Sequence, residues 1–356
     1  MRSIDGVLHR AGKTLPHAAA AVATLQRAGV PFTFLTNGGG KTEAEKAAEL
    51  SAMLGGVPVD PELYIQSHTP FRELAPRYAN RSVVVVGQDP CKARAILLGY
   101  DFPDVVTTGQ LHAALPDLWP FAPGPASHPV CRDAAGRAAP VPAADTRYAA
   151  AFVVNDPAHW QLDLQVLVDL LVSDGGRLGT TAARGNSSGG SSSNGSGPRG
   201  APGTPRLYFS ASDLEFSSAW PVPRFGQGSF LASLRGIWAA KTGGAGDDFP
   251  HELHGKPMAS QYSFVERTER ALQETRAGRH CALERNYMVG DNPESDIRGA
   301  LGYNSSQGTR WLGVLVRTGV WDGVSPPSVA PSHVADGVKE AVELIGELEG
   351  VDLTVA

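Results

Sequence analysis

The chain has 356 residues, 42% of them hydrophobic, and a formal net charge of −5. This length fits one large or two ordinary domains with a sizeable core, and without a basic patch nucleic acid is not an expected partner. No apolar run reaches the roughly 20 residues of a membrane span, and no signal or transit peptide is visible. The scattered Cys91, Cys131 and Cys281 are typical of a reducing compartment and argue against a disulfide framework or a zinc cluster.

The first 80 residues alternate predicted helices and strands. Residues 15–28 carry apolar side chains at helical spacing, Gly29 ends that helix, and residues 30–35 form the next strand. Residues 42–54 form a second helix, which opens with a capping box made by Thr42 and Glu45. Alternating strands and helices predict a parallel sheet, and binding sites in such sheets gather where the strands end.

The middle of the chain repeats this alternation. It contains three predicted strands and two predicted helices, which are strands 82–87, 149–155 and 207–210 and helices 159–173 and 230–241. Two stretches interrupt the pattern. Residues 116–145 are rich in proline and alanine and predict a long surface loop, while residues 184–205 are nearly all Gly, Ser, Asn and Pro and predict a flexible insertion without a core.

The last part returns to the first pattern. It contains a predicted helix around residues 263–277, strands 286–290 and 313–316, and a final helix near 337–348. We therefore predict a core domain in two parts, residues 1–80 and 245–356. A second α/β domain, residues 81–244, is inserted between them. The expected fold class is α/β, with a doubly wound, mostly parallel sheet and an inserted α/β domain.

Residues 287–297, which read Tyr-Met-Val-Gly-Asp-Asn-Pro-Glu-Ser-Asp-Ile, carry the most informative pattern. An apolar strand ends at Gly290, Asp291 follows at once, and Asp296 comes five residues later. Clustered carboxylates at a strand end suit Mg²⁺, which takes few protein ligands and keeps water and phosphate oxygens. The alternative is that Asp291 is only an N-cap for the helix that begins near Pro293.

Three further segments supply complementary groups. Asp5 lies in an apolar run near the start of the chain; Thr36, Asn37 and three glycines follow a β-rich run; and Lys256 stands far downstream before a proline. A hydroxyl and backbone N–H groups bind phosphate oxygens, a lysine neutralises their charge, and carboxylates hold the metal. Each residue also has a plainer interpretation, as a turn residue or a solvated loop lysine.

The ordered set of these segments resembles the haloacid dehalogenase-like (HAD) superfamily, subclass IIA. Four motifs carry this resemblance, namely residues 5–8 (Asp-Gly-Val-Leu), 35–37 (Leu-Thr-Asn), 255–257 (Gly-Lys-Pro) and 290–292 (Gly-Asp-Asn). Residues 153–157, 162–165, 224–228 and 315–320 are similar to the eukaryotic branch named for the cat eye syndrome critical region. The resemblance extends over residues 3–325.

The resemblance implies a Mg²⁺-dependent phosphatase that hydrolyses a small phosphate monoester. By this resemblance Asp5 is the general acid and base, Asp5 and Asp291 hold the metal, and Asp296 supports them. Thr36, Asn37 and Gly38 are implied to contact phosphate, together with Lys256. The inserted domain would be a cap that selects the leaving group, and Asn155 and Asp156 are its candidate substrate contacts, with an Asx-turn before Pro157 as the equal alternative.

The family's nucleophilic aspartate is replaced by Ser3. A serine hydroxyl needs an adjacent base to attack phosphorus, so we expect little phosphatase activity from this chain. Only Met1 and Arg2 precede Ser3, whereas the family's first strand carries several apolar residues there. We expect a misplaced start rather than a degenerate relative.

Three classes of function remain open from the sequence. The chain is a small-molecule phosphatase, a catalytically inactive binding or regulatory protein, or the product of a truncated gene model. The resemblance implies a phosphorylated metabolite as the partner, mitochondria as the location with the cytoplasm as the alternative, and a homodimer formed through the cap.

Overall fold

The computed structural model describes residues 2–10, 12–121, 128–133, 135–182, 203–216, 220, 222–280 and 282–356, with only the backbone of Arg2 and Ser3. Most of the predicted insertion, residues 184–202, lies outside the described residues. The chain divides into two compact units, one made of Met1–Pro70 with His254–Ala356 and the other of Phe71–Leu253. None of the described helices is both long enough and apolar enough to span a membrane.

The strands are short. In chain order they are β1 (Arg2–Ser3), β2 (His9–Arg10), β3 (Lys13–Thr14), β4 (Phe34–Leu35), β5 (Tyr64–Ile65), β6 (Ser82–Val86), β7 (Asp104–Thr107), β8 (Tyr148–Val153), β9 (Arg206–Phe209), β10 (Glu215–Phe216), β11 (Arg224–Phe225), β12 (His251–Leu253), β13 (Arg285–Gly290), β14 (Arg310–Val316) and β15 (His333–Ala335).

The α-helices occupy the positions between them. They are α1 (Ala18–Arg27), α2 (Glu43–Met53), α3 (Pro90–Gly99), α4 (Thr108–Ala114), α5 (Trp160–Val172), α6 (Gln227–Thr242), α7 (Ala259–Ala277), α8 (Arg298–Gly302) and α9 (Val338–Glu349). Short 3-10 stretches cover Pro61–Leu63, Thr69–Tyr78 and Pro116–Leu118, and a π-helical turn covers Pro293–Ile297.

The first unit is built on a six-stranded sheet in the order β15-β14-β13-β1-β4-β5, in which all neighbouring strands run parallel. One apolar cluster joins α1 and α9 to one face of the sheet, and a second cluster joins α7 and α8 to the other face. The predicted α/β class with a doubly wound parallel sheet is therefore confirmed.

Three local sequence features explain where elements of this unit begin. The predicted capping box is confirmed, because the Thr42 side chain accepts from the Glu45 N–H and the Glu45 side chain accepts from the Thr42 N–H. α1 begins three residues later than predicted, since His17 adopts a left-handed conformation with φ of 60°. β4 is shorter than the predicted strand 30–35, in which Pro31 lacks a backbone donor for the sheet.

The second unit contains a five-stranded parallel sheet in the order β12-β9-β8-β6-β7. All six residues of β8 are buried, as expected for a central parallel strand covered on both faces. α5 and α6 pack on one face and α3 on the other. The inserted α/β domain of the predicted fold class is thus also present.

The cysteine argument from the sequence is wrong for one pair. Cys91 and Cys131 are joined by a disulfide, with their Cα atoms 5.0 Å apart. The two residues are 40 positions apart in sequence, and only the fold brings the first turn of α3 beside residues 128–133. Counting scattered cysteines cannot reveal such a pairing, because it depends on long-range packing.

Candidate active site

Three neighbouring strands of the first unit deliver the candidate residues to one edge. β1 lies between β13 and β4, with Arg2 level with Val289 and Phe34, and Ser3 level with Leu35. Asp291 follows the last residue of β13, Thr36 follows β4, and Asp5 comes two residues after β1. Because the strands are parallel, their carboxyl ends meet at the same edge of the sheet, where sites in this architecture form.

Asp291 is held in a narrow space. Its side chain is buried, and its Oδ2 atom accepts a hydrogen bond from the Val320 N–H at 2.8 Å. A Cβ atom added to Gly6 or to Gly319 would lie 2.2 or 2.0 Å from that oxygen. Two glycines thus allow two separate backbone segments to approach the carboxylate closely, which no other residue would permit.

Asp296 is fully buried and organises the turn after β13. Its Oδ2 atom accepts hydrogen bonds from the N–H groups of Asp291 and Asn292, both at 3.1 Å. Its Oδ1 atom accepts one from the Lys256 Nζ at 2.7 Å. The π-helical turn Pro293–Ile297 folds Asp296 back over the strand end, a type of irregular turn that is frequent at functional sites.

This buried group contains two carboxyl groups and one ammonium group. Burial raises the pKa of Asp291, and the charge of Asp296 raises it further, while the Val320 N–H and Lys256 act in the opposite direction. With both carboxyls ionised, the group carries one more negative than positive charge. A cation near Asp291 would compensate for this excess.

Asn37 fixes the position of Lys256. Its side-chain Oδ1 accepts from the Lys256 N–H at 2.7 Å, and its Nδ2 donates to the Lys256 carbonyl at 2.9 Å. Lys256 itself is 4% exposed, so its ammonium group is directed into the buried group of carboxyls. The amide of Asn37 therefore acts on the lysine backbone, where the sequence suggested a phosphate contact.

Thr36 and Gly38 form the turn after β4. Thr36 is buried, its N–H donates to the Ile65 carbonyl at 3.0 Å, and its Oγ1 accepts from the Gly38 N–H at 2.9 Å. This hydrogen bond fixes the hydroxyl oxygen at the strand end. The hydroxyl group can still donate its own hydrogen to an acceptor. The arrangement suits a contact between the Thr36 hydroxyl and a phosphate oxygen.

Asp5 lies in a tight turn after β1. Its side chain is 75% exposed, and its Oδ1 is 3.4 Å from the Nδ1 of His9. Gly6 has a φ of 71°, which glycine adopts without strain, and its carbonyl accepts a hydrogen bond from the Thr318 hydroxyl. An exposed carboxyl beside a histidine is accessible for proton exchange with a substrate.

Sequence reasoning gave no role to residues 318–320, which follow β14. Thr318 binds the Gly6 carbonyl, Gly319 makes room for Asp291, and the Val320 N–H binds its carboxylate. The signal in the sequence was a hydroxyl and a glycine that follow a buried strand after Arg317, a pattern similar to that of Thr36 and Gly38. It was noticed only as part of the family resemblance.

Asn155 and Asp156 follow β8 in the second unit. Asn155 Oδ1 accepts from the Gln88 N–H at 3.0 Å, so the amide joins two loops at the end of that sheet. Burial raises the pKa of Asp156, the backbone N–H of Gln227 opposes this shift, and the charge of Asp213 adds to it. The structure therefore brings Asp156 and Asp213 near each other in the second unit.

Whether the residues around Asp291 fit a metal ion depends on how many protein ligands that ion needs. Within the described ranges, no set of three or more His, Cys, Asp or Glu side chains is grouped to hold one. Mg²⁺ does not require such a set, since one or two carboxylates with main-chain, water and phosphate oxygens are sufficient. The excess negative charge around buried Asp291 fits a hard cation of this kind.

Comparison with known families agrees with this geometry. Residues 2–101 match a family described as haloacid dehalogenase-like hydrolase, and residues 254–341 match a related HAD-hydrolase-like family. Two relatives are similar over nearly the whole chain. The first is a fusion protein of Schizosaccharomyces pombe named cardiolipin synthase (CMP-forming)/mitochondrial hydrolase, 34% identical over 96% of this chain and 51% of its own length.

The second relative is a mitochondrial hydrolase of Saccharomyces cerevisiae, 30% identical over 95% of this chain and 92% of its own. The protein therefore belongs to the haloacid dehalogenase-like hydrolases. The chain spans about half the length of the fusion protein (51%) but nearly all of the second relative.

Solved structures show the same fold at low sequence identity. A hypothetical protein of Pyrococcus horikoshii OT3 is 17% identical, with a TM-score of 0.63 over 97% of this chain and 98% of that one. A 4-nitrophenylphosphatase of Thermotoga maritima is 15% identical, with a TM-score of 0.58 over 96% and 94%. A glycerol phosphate phosphatase of Mycobacterium tuberculosis, solved in complex with calcium, is 14% identical, with a TM-score of 0.55 over 95% and 72%.

Proposed function

We propose that this protein provides a Mg²⁺-dependent site for a small phosphate monoester, and that the site hydrolyses the ester when an aspartate stands at residue 3. The observation that supports this most strongly is the buried group of Asp291, Asp296 and Lys256. It lies at the ends of neighbouring parallel strands, beside the backbone of β1. Buried charges persist only where other charges or ligands compensate for them.

Each residue then has a physical role. Asp291 and the main chain of Asp5 would hold Mg²⁺, which supplies charge neutralisation for the transferring phosphoryl group. Thr36, Gly38 and Lys256 would bind phosphate oxygens, with Asn37 and Asp296 keeping Lys256 in place. Asp5, exposed beside His9, would protonate the leaving alkoxide and then take a proton from the water that hydrolyses the acyl phosphate.

Ser3 sets the level of activity. A carboxylate at residue 3 would attack phosphorus directly, whereas a serine hydroxyl must first lose its proton to a base. Serine also removes one negative ligand from the proposed metal site. We therefore expect this chain to bind Mg²⁺ and phosphate more weakly than a family member with aspartate there, and to turn over slowly.

The direct experiment compares two isosteric replacements. Ser3→Asp and Ser3→Asn should be purified and assayed with p-nitrophenyl phosphate, with and without Mg²⁺. We expect Ser3→Asp to exceed Ser3→Asn in turnover by on the order of 100-fold, only with Mg²⁺, because only the carboxylate is a nucleophile. A well-folded Ser3→Asp chain that hydrolyses the ester no faster than Ser3→Asn would refute the proposal.

Ser3 itself favours a second candidate function. A protein that keeps the charged group around Asp291 but lacks the nucleophile would act as a binding or regulatory protein for a phosphorylated metabolite. Calorimetry with inorganic phosphate and Mg²⁺ separates the two. Binding without turnover by the parent chain supports the second function, whereas measurable Mg²⁺-dependent turnover by the parent supports the first.

The remaining proposals concern the inserted domain, the family branch, the oligomeric state and the location of the protein. The inserted domain, residues 81–244 by the sequence prediction, is proposed to act as a cap that excludes water and selects the leaving group, with Asn155 and Asp156 as its substrate contacts. Membership of the cat eye syndrome branch stays a prediction, as does a homodimer formed through the cap. Because two relatives are named mitochondrial hydrolases, mitochondria are the proposed location.

A further inference from the structure

Two buried glutamines are connected to residues 36–41, the turn after β4, which we name the β4 turn. Gln66 directly follows β5, and Gln261 lies in the first turn of α7. Both side chains are fully buried. The Gln261 Nε2 donates to the Gln66 carbonyl at 3.0 Å, and the Gln66 Nε2 donates to the Lys41 carbonyl at 2.8 Å. Neither glutamine belongs to the proposed metal ligands, phosphate contacts or proton donors, so the pair has no assigned role.

These hydrogen bonds close a ring that includes the β4 turn. At the start of the turn, Asn37 binds the backbone N–H and carbonyl of Lys256. At its end, the Lys41 carbonyl is bound by Gln66, whose own carbonyl is bound by Gln261. Gln261 stands five residues after Lys256 in the chain. The ring therefore runs from Lys256 through the β4 turn to the two glutamines and back to Lys256.

The link from Gln261 back to Lys256 is short and hydrogen-bonded. The Met258 N–H donates to the Gly255 carbonyl at 2.8 Å, and the Gln261 N–H donates to the Met258 carbonyl at 3.1 Å. Two successive turns therefore join the start of α7 to the lysine. Because this link is short, the position of Gln261 limits where the backbone of Lys256 can lie.

Gln66 is also anchored without Gln261. Its N–H donates to the Thr69 Oγ1 at 2.8 Å, and the Thr69 hydroxyl donates to the Glu43 Oε1 at 2.7 Å. Glu43 is the first residue of α2, which begins just after the β4 turn. The Thr69 N–H donates to the Gln66 carbonyl at 3.1 Å. The carbonyl of Gln66 therefore keeps a donor when the amide of Gln261 is removed.

The stability of the fold does not by itself explain the amides of the two glutamines. The Oε1 atoms of Gln66 and Gln261 are buried and have no hydrogen-bond partner within the described part of the chain. An unpaired buried acceptor costs free energy, which an apolar side chain of the same length would avoid. The hydrogen bonds that the two Nε2 atoms make to the Lys41 and Gln66 carbonyls therefore point to a role in function.

We propose that Gln66 and Gln261 are positioning residues that hold the β4 turn and Lys256 at a fixed separation, so that both contact the same phosphate group. This role rests on the proposed function, in which Thr36 and Gly38 bind phosphate oxygens together with Lys256. Neither glutamine touches the phosphate, since Gln66 acts through the β4 turn and Gln261 acts through Lys256. Donors that are held in place before binding lose less freedom on binding, which increases the affinity for phosphate.

Methionine replacements test this role, because methionine keeps the length of the side chain and removes its amide. The proteins are the parent, Gln66→Met, Gln261→Met, the double variant and the matched control Gln273→Met. Gln273 lies twelve residues after Gln261 in the same helix, and its buried Oε1 also has no partner among the described residues. The readouts are the affinity for inorganic phosphate with Mg²⁺ by calorimetry, the midpoint of urea denaturation, and hydrogen exchange of the Gly38 and Lys256 N–H groups.

We expect Gln66→Met and Gln261→Met each to weaken phosphate binding by about tenfold and to speed exchange of the Gly38 and Lys256 N–H groups. The midpoint of denaturation should stay the same or rise. The double variant should also lose only about tenfold in affinity, because opening the ring at one link already releases the other. Gln273→Met should match the parent in affinity and in exchange.

The proposal is overturned if the parent binds phosphate and both single variants bind it equally well. It is also overturned if the double variant loses about a hundredfold in affinity, the additive result, or if affinity falls only together with the midpoint of denaturation. A parent chain that binds no phosphate refutes the proposed function instead. Exchange rates then decide alone whether the glutamines hold the β4 turn and Lys256, and rates equal to those of the parent overturn that role.

Discussion

At the scale of single residues, the position of Asp291 depends on two neighbouring glycines, Gly6 and Gly319, which have no side chain. Gly319 leaves space that any side chain would fill, because its added Cβ would lie 2.0 Å from Asp291 Oδ2 and 2.4 Å from its Cγ. We expect Gly319→Ala to lower the free energy of unfolding by about 1–3 kcal/mol through overpacking. Chemical denaturation measures this, with Gly302→Ala as the control, since its added Cβ meets nothing within 4 Å. Equal effects of the two changes would contradict the close approach.

Asn37 offers a second test at this scale. Removing its amide in Asn37→Ala leaves the backbone N–H and carbonyl of Lys256 without their present partners. Unpaired buried polar groups cost about 1–3 kcal/mol, so the variant should unfold at lower denaturant concentration and bind phosphate more weakly. The exposed Asn304, changed to alanine in the same way, is the control. If Asn37→Ala is as stable as the parent, the Asn37 side chain does not hold Lys256 in position.

The sequence predicts the residues of the candidate site but not their contacts. Asp291, Asp296, Thr36 and Lys256 are predicted because each stands in a motif at a strand end or in the expected order. That Asn37 binds the backbone of Lys256 requires two segments 219 positions apart in sequence to meet. No local pattern encodes such a contact, because it is produced by the packing of the sheet.

At the scale of elements, one local signal in the sequence determined where a helix begins. The capping box of α2 was readable from Thr42 and Glu45 because both of its hydrogen bonds form within one turn. We expect Thr42→Ala to cost about 1 kcal/mol of stability. Thr275→Ala, at a helical position exposed to solvent, should cost less. Denaturation curves that show equal losses would contradict a capping role for Thr42.

The helix α5 carries a buried carboxyl group, Asp163, which accepts a hydrogen bond from the Thr108 hydroxyl at 2.7 Å. Burial raises the pKa of Asp163 to about 7, although the Thr108 hydroxyl and the His159 N–H oppose the shift. The folded state therefore binds a proton that the unfolded state has already lost above its ordinary pKa of about 4. This contribution to stability is complete below pH 4 and is lost as the pH rises through 7.

Asp163→Asn keeps the side chain neutral at every pH. We expect the variant to gain stability relative to the parent as the pH rises from 5 to 8, by up to about 1.4 kcal/mol for each unit of pKa difference. Urea denaturation at several pH values measures this difference directly. If the difference between the two proteins stays constant across this range, Asp163 does not titrate as described.

Several short elements were missed from the sequence. α3 opens with Asp89 as its N-cap and Pro90 in its first turn, and β7 contains only four residues. Short apolar stretches do not distinguish a strand from a buried turn of helix by periodicity alone. β5 has two residues and exists only because β4 lies beside it. Tertiary pairing, rather than local preference, forms such elements.

At the scale of the whole molecule, the order of the segments predicts an inserted unit, because core-like alternation stands on either side of a different α/β segment. The structure divides into two compact units, Met1–Pro70 with His254–Ala356 and Phe71–Leu253. Long-range covalent pairing was not predictable in the same way. Cys91 and Cys131 belong to one unit, but nothing near either cysteine in sequence indicates the other.

We propose that strand ends in the first unit form one anionic site for Mg²⁺ and phosphate around Asp291. The most direct measurement is calorimetric titration of Mg²⁺ in the presence of inorganic phosphate, on the parent chain, Asp291→Asn and the exposed control Asp117→Asn. We predict binding to the parent and to Asp117→Asn, and a loss of affinity of at least about tenfold in Asp291→Asn. Binding that is unaffected by Asp291→Asn, or absent from all three proteins, would contradict the claim.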